Sequence, residues 1–295
     1  MKVFEAEVAF PYKATLGEGS LWDARHRQLY WVDIYENKVC LFDPERHSNL
    51  VFDVGANVGT VVPTEQGPLL TALRHEIAGL DLDTGDVFSV ATPCAPVRGV
   101  RFNDGKCDPE GRFWVGTMVE SGPQGGGSLY MLGHDLGVSE QLSGLTISNG
   151  LAWFGRRFYH IDTPSREVRG FDYEPTSGRI ANPTLVKSFA SEMGAPDGMC
   201  VDAEGMLWVA LWGGHAVVRI HAQTGEVLAK VELPAANVTS CAFGGPDLDV
   251  LYVTSARIGV DPEQLDREPL SGSLFRATLP YQGLVAPAFR GRLPR

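Results

Sequence analysis

Apolar residues in this chain fall in short runs, not at helical spacing. The runs are rich in β-branched and aromatic residues and are broken by Gly, Pro, Asp and Asn. That is the pattern of strands bounded by turns. The runs also recur. One type reads LYWVDI, LLTAL, FWVGTM, FYHIDT, LWVALW and LYVTSA. Each is followed by a second type: NKVCLFDP, HEIAGLDL, GSLYML, REVRGFDY, HAVVRIHA and GSLFRATL. Several end in turns such as DLDTGD, YEPTSGR and HAQTGE, and a further short strand follows, as in VLAKVEL. The repeat length is about 45–50 residues, the period of propeller blades. A small antiparallel sheet cannot bury both faces alone. Packed between two neighbours around an axis it buries both and leaves only short edges. The pattern therefore predicts an all-β fold, a six-bladed β-propeller of four-stranded antiparallel blades around a central channel. Because a toroid has no internal boundary, residues 1–295 are expected to form one domain.

Composition narrows the function classes. A chain of 295 residues can bury about three quarters of its unfolded surface. Net charge is −11 and Lys and Arg are scattered, so no basic stripe points to nucleic acid. No apolar run approaches the roughly 18 residues of a membrane span. The start, MKVFEAEVAFPYKATLGEG, lacks the apolar stretch and cleavage site of a signal peptide. The five cysteines, Cys40, Cys94, Cys107, Cys200 and Cys241, are odd in number and lack CxxC spacing. Reduced, mostly buried thiols in a cytoplasmic protein follow, although Cys200 and Cys241 have room to be neighbours in space. Nothing calls for an obligate protein partner.

Candidate chemistry emerges when the repeats are aligned on the strand before the LWVALW type. The first reads Glu18-Gly19-Ser20-Leu21-Trp22-Asp23, the third Asn103-Asp104-Gly105-Lys106-Cys107-Asp108, and the fifth Asp197-Gly198-Met199-Cys200-Val201-Asp202. The fourth offers Asn149-Gly150, with Phe154 where the Asp would fall; the second and sixth, near Val58 and Thr239, carry no acid or Asn. In a propeller the first strand of each blade lies nearest the axis. Glu18, Asn103, Asn149 and Asp197 should then converge on one mouth of the channel. Carboxylate and amide oxygens are hard ligands suited to Ca²⁺ or Mg²⁺. Asp23, Asp108 and Asp202 fit turns at the opposite end, hydrogen-bonded to their own backbone. The plainer alternative is a ring of stacked turns with solvated side chains. Glu18 in LGEGS argues against it, because Glu is a poor turn former.

Other motifs carry less. The seven histidines show no HxH or HExxH spacing, and there is no GxSxG or phosphate loop. His215 follows a strand end on the expected side of Asp197 and is a candidate pocket residue; Trp212 is expected to pack at the core or rim. The glycine-rich loop SGPQGGG, residues 121–127, has the backbone freedom of a lid.

LGEGSLWD, RFNDGKCDPEGRFWVGTM, ISNGLAWF, PDGMCVDAEGMLWVALWGG and SCAFGGPDLDVLYVTSAR are similar to the SMP-30/gluconolactonase/regucalcin-like family, over nearly the whole chain. The resemblance implies one divalent metal ion at the channel mouth. The family's GEG, SNG and PDG ligands fall on Glu18, Asn149 and Asp197. Its RFND substrate contacts fall on Arg101 and Asn103, and its acid after GTM on Glu120. Where vertebrate members carry a further residue, this chain has Ser121 in GTMVESGPQGGG, a departure that bears on substrate preference. The implied function is metal-dependent hydrolysis of an aldonic sugar lactone, of the gluconolactonase, arabinonolactonase or xylonolactonase type. Asp197 is the candidate general base, because a carboxylate at the metal can both ligate and accept a proton; a metal-bound hydroxide is the alternative nucleophile. Ca²⁺ comes first as cofactor, before Zn²⁺, Mg²⁺, Mn²⁺ or Fe²⁺. The partner is a small-molecule sugar lactone. The alternatives are an aryl esterase or phosphotriesterase on the same scaffold, or a non-catalytic calcium-binding regulatory propeller.

Overall fold

The computed structural model describes residues 1–93 and 97–294. Six antiparallel sheets follow one another along the chain. Their first strands are Gly17–Asp23, Val58–Val62, Val100–Cys107, Ser148–Phe154, Ala195–Val201 and Asn237–Gly244. Each packs against the first strand of the next sheet, and the sixth packs against the first, so they line the axis of a six-bladed β-propeller. Apolar side chains from adjacent blades interdigitate. Trp208 and Val217 of the fifth blade, for example, share a core with Val238 and Phe275 of the sixth. Burial of both sheet faces is the driving term, as the repeat pattern requires.

Closure was not visible in the repeat count. The last three strands, Asn237–Gly244, Val250–Ala256 and Leu274–Thr278, make an incomplete blade. Glu7–Phe10 completes it, pairing antiparallel with Leu274–Thr278. Lys2–Glu5 then adds a parallel fifth strand to the fifth blade along Val227–Glu232. The first and last parts of the chain thus share a sheet, and opening the ring would break its ladder.

The turn aspartates lie where expected. Asp23 accepts the N–H of Arg25, Asp108 those of Glu110 and Arg112, and Asp202 those of Glu204 and Met206. Asp108 and Asp202 also take the indole N–H of Trp114 and Trp208 at 2.9 and 3.0 Å, tying the turn to the buried tryptophan of the next strand. Cys40, Cys107 and Cys241 are buried, Cys200 is half-buried, and all four are free thiols; Cys94 lies outside the described residues. Among the described residues, no helix is long and apolar enough to cross a membrane.

All six inner strands share a further device. Each loses register with its neighbour at the same place: between Glu18 and Leu21, Val58 and Thr60, Phe102 and Gly105, Asn149 and Leu151, Pro196 and Met199, and Val238 and Ser240. A bulge re-aims the side chain beside it. Repeated six times, it brings one or two residues per blade to the channel mouth. Glycine at the bulge also allows blades to touch. A Cβ on Gly59 would stand 2.9 Å from Asn103 Cα and nearer still to its carbonyl oxygen. Neither backbone can yield without parting the two blades. Gly59→Ala should therefore destabilise the protein by about 1–3 kcal/mol in urea unfolding. Gly126→Ala, whose Cβ would meet nothing closer than 3.5 Å, should be neutral. Equal stability of both variants would show that the inter-blade contact is soft.

Candidate active site

Glu18, Asn103, Asn149 and Asp197 come from four different blades, sit at four of these bulges, and line one cavity of about 270 Å³ together with Arg101. All five are nearly excluded from solvent. Asp197 accepts a hydrogen bond from the Asn149 amide nitrogen. That nitrogen also donates to Thr163 Oγ1 at 3.1 Å, leaving Asn149 Oδ1 buried with no partner among the described residues. One Glu18 oxygen accepts the N–H of Gly19 at 2.9 Å.

Asp104 was aligned in the sequence but not assigned to the site. The third blade's bulge leaves both Asn103 and Asp104 out of register with the next strand; Asn103 lines the cavity and Asp104 is buried outside its lining. One of its oxygens accepts the N–H of Gly105 at 2.8 Å, and the other is buried without a partner among the described residues. The charge of Asp104 nonetheless reaches Glu18 and Asp197. Burial pushes Glu18 up to about 8, with the charge of Asp104 the next cause. Asp197 is held well above the ordinary carboxylate range, by burial first and then by the charges of Glu18 and Asp104. Asp104 is raised by burial, against the opposing charge of Lys106. Mutual repulsion in a dry site makes these groups hold protons unless a cation compensates them.

The donor set fits such a cation. Among the described residues no three His, Cys, Asp or Glu side chains group closely enough to bind a metal by themselves. Glu18 and Asp197 supply two carboxylates, and the unpartnered Asn149 Oδ1 supplies a neutral third oxygen. All are hard oxygen donors of the kind Ca²⁺ and Mg²⁺ prefer.

Arg101 forms the next layer. Its Nη1 donates to Asn103 Oδ1 at 2.9 Å and to the Phe102 carbonyl at 2.8 Å. Its Nε donates to Glu120 at 3.1 Å, and its guanidinium carbon lies 5.4 Å from the centre of the Tyr35 ring. Asn103 in turn donates to the Ser148 carbonyl. Glu120 does not line the cavity. It stands behind Arg101 and also accepts from Arg74 and Tyr35, so its immediate task is to hold the guanidinium. His215 pairs with Glu268 at 2.9 Å and stays outside the cavity, whereas Trp212 lines it. The loop at 121–126 lies on this same end of the third blade, bonded at Ser121 to the carbonyl of Gly99.

Sequence reading named Trp212 but passed over the rest of the apolar lining. Leu16, Met118, Ile147, Trp212 and Ile258 make much of the cavity's lining apolar. Met118 and Trp212 end the repeated runs FWVGTM and LWVALW, and Leu16 and Ile147 stand two residues before Glu18 and Asn149; an alignment read for polar oxygens on the inner strand passes over such apolar positions. Thr163 ends the equivalent run FYHIDT, one strand out from the aligned ligands, and only its bond to the next blade reveals a role.

A sequence profile described as the SMP-30/gluconolactonase/LRE-like region matches residues 16–257. A Bacillus subtilis protein, YvrE, whose name proposes a sugar lactone lactonase, is 37% identical over 95% of this chain and 96% of its own. A luciferin-regenerating enzyme superposes with a TM-score of 0.90 at 34% identity, covering 97% of this chain and 99% of that one. A regucalcin from Agrobacterium tumefaciens, described as a calcium-binding protein, gives a TM-score of 0.93 at 26% identity over 98% and 99% of the two chains.

Proposed function

The chain belongs to the SMP-30/gluconolactonase/LRE-like family, and we propose that it is a divalent-cation-dependent hydrolase that opens a sugar lactone to the free acid, with residues 1–295 acting as one domain. The observation that carries this reading is the convergence of Glu18, Asn149 and Asp197 on one cavity beside Arg101 and Asn103. Glu18, Asn149 and Asp197 would hold the cation. Ca²⁺ is the first choice, because the donors are all oxygen and the Agrobacterium relative is described as calcium-binding. A cation bound there supplies Lewis acidity toward the lactone carbonyl and stabilises the negative charge that develops on it.

The protein's own groups do the rest. Asp197 accepts the proton of the attacking water, and the Asn149 amide that donates to it fixes its orientation. Arg101 and Asn103 hold the substrate's oxygens, with Glu120 and Tyr35 keeping the guanidinium in place. The apolar wall of Met118, Ile147, Trp212 and Ile258 packs the carbon face of the ring and excludes water. A sugar lactone is amphipathic in the same sense, with a hydroxyl edge and a C–H face.

A lactone without hydroxyls forgoes the hydrogen bonds that Arg101 and Asn103 offer, at about 1.5 kcal/mol each. Two such losses lower kcat/KM by about a hundredfold. A five- or six-carbon aldonolactone should therefore be preferred to butyrolactone by that margin, and the preference should shrink in Arg101→Ala. Equal kcat/KM for the two lactones would count against the sugar assignment and favour a general aryl esterase or phosphotriesterase.

A further inference from the structure

We infer that Thr163 sets which end of the Asn149 amide faces the cation site, and so fixes the cation's affinity; this rests on the cation-binding reading above. An asparagine side chain can present either its oxygen or its nitrogen to the site, and only the oxygen can ligate. Thr163 Oγ1 donates its one proton to the carbonyl of Pro196 at 2.9 Å. With that proton spent, the hydroxyl can only accept from Asn149, 3.1 Å away. The amide nitrogen must therefore face Thr163, and its second hydrogen meets Asp197. Oδ1 is left pointing into the site, buried and unpartnered.

Thr163 is itself well held. It opens a short 3-10 turn, Thr163–Ser165, with Pro164 inside it, and its N–H is bonded to the Ile147 carbonyl. The same hydroxyl bridges two blades, since Asn149 lies in the fourth and Pro196, next to Asp197, in the fifth. One proton thus orders two of the three ligating side chains. Thr163 is a positioning residue and need not touch substrate.

Outer groups of this kind commonly govern metal affinity by about 10–100-fold. Ca²⁺ affinity measured by calorimetry should fall by about that factor in Thr163→Val and Thr163→Ala, while Thr163→Ser keeps most of it. The Tm of the cation-free variants should track the wild type, which separates amide orientation from general loosening. Wild-type affinity in folded Thr163→Val or Thr163→Ala, or a loss in Thr163→Ser equal to theirs, overturns the inference and leaves the cation site standing. A wild-type protein that binds none of Ca²⁺, Mg²⁺, Mn²⁺ or Zn²⁺ overturns the cation reading itself.

A separate pair of side chains supports a second site. Cys200 and Cys241 lie on the inner strands of adjacent blades with sulfurs 3.7 Å apart. Cys200 borders an apolar cavity of about 360 Å³ at the opposite mouth of the channel, lined also by Lys106, Trp153 and Phe243; Cys241 is fully buried behind it. We propose that this dithiol is a modification site for hydroperoxides. The Cys200 sulfur attacks the peroxide O–O bond, giving a sulfenic acid and releasing water or an alcohol. Cys241 then attacks that sulfur, an S–S bond forms, and the S–OH oxygen leaves as water. The peroxide is reduced by two electrons and the two thiols are oxidised. The bond needs the sulfurs to approach to about 2.05 Å, and it would staple the fifth blade to the sixth.

Peptide mapping after hydrogen peroxide treatment should find Cys200 linked to Cys241, with a Tm higher by about 5–10 °C. Both changes should be absent in Cys200→Ser and in Cys241→Ser. Oxidation that proceeds without the Cys200–Cys241 link, or the same Tm rise in either serine variant, overturns the site.

Discussion

Chelation of divalent cations should abolish lactone hydrolysis while leaving the propeller folded. The candidate ligands sit on three blades of a ring that is closed by its own strands, so the scaffold does not depend on the ion. On the proposed reading activity does, because the cation would supply the Lewis acidity at the lactone carbonyl. The same carboxyls make cation binding depend on pH. Glu18 is raised to about 8, and Asp104 and Asp197 are raised with it. A carboxyl whose folded pKa is raised contributes stability that is present below its unfolded pKa, near 4.5 for Glu18, and lost as pH rises through the folded value. The cation-free protein should thus lose stability between about pH 5 and 8. A cation must displace those protons, so its affinity should rise over the same window. The check is Tm against pH, with Ca²⁺ and with chelator: the gap between the two curves should widen toward pH 8. Hydrolysis that survives exhaustive chelation, or a gap independent of pH, would remove the cation from the mechanism.

Asp197→Asn should cost far more in kcat than Asn103→Ala. The substitution keeps the shape of the side chain and leaves an oxygen to accept from Asn149. On the proposed reading it removes a charge that helps to hold the cation and the group that accepts water's proton. General-base catalysis alone is worth about 10²–10⁴-fold, and weaker cation binding adds to the loss at limiting cation. Asn103→Ala leaves that machinery in place. It removes one substrate contact and the acceptor that Arg101 Nη1 uses, a loss of about 1–3 kcal/mol that should appear mainly in kcat/KM. Both variants should be compared at saturating Ca²⁺, with circular dichroism confirming the fold. Comparable falls in kcat would refute the division of roles.

Much of this was legible in the chain. Strand and turn propensities are local, and a repeat of blade length has one compact solution, so the six sheets could be read directly. Glu18, Asn103, Asn149 and Asp197 stood out because equivalent positions in a ring must meet near its axis. Asp23, Asp108 and Asp202 could be placed at the far end by the same periodicity. The tertiary structure decided what periodicity does not encode. Asp104 was buried beside Asn103, outside the cavity's lining but close enough for its charge to raise Glu18 and Asp197. Glu120 went behind Arg101 because Arg74 and Tyr35 compete for its oxygens. The strand Glu7–Phe10 closed the ring across a sequence separation of more than two hundred residues. Met118, Thr163 and Trp212 end repeated runs, but which neighbours they meet, such as the Pro196 carbonyl that Thr163 bonds in the next blade, depends on how the blades pack. Local pattern determines which strands form and which residues face the axis. The direction of a side chain within a bulge, and the partner it finds across a blade boundary, are set by non-local contacts that exist only once the ring has closed.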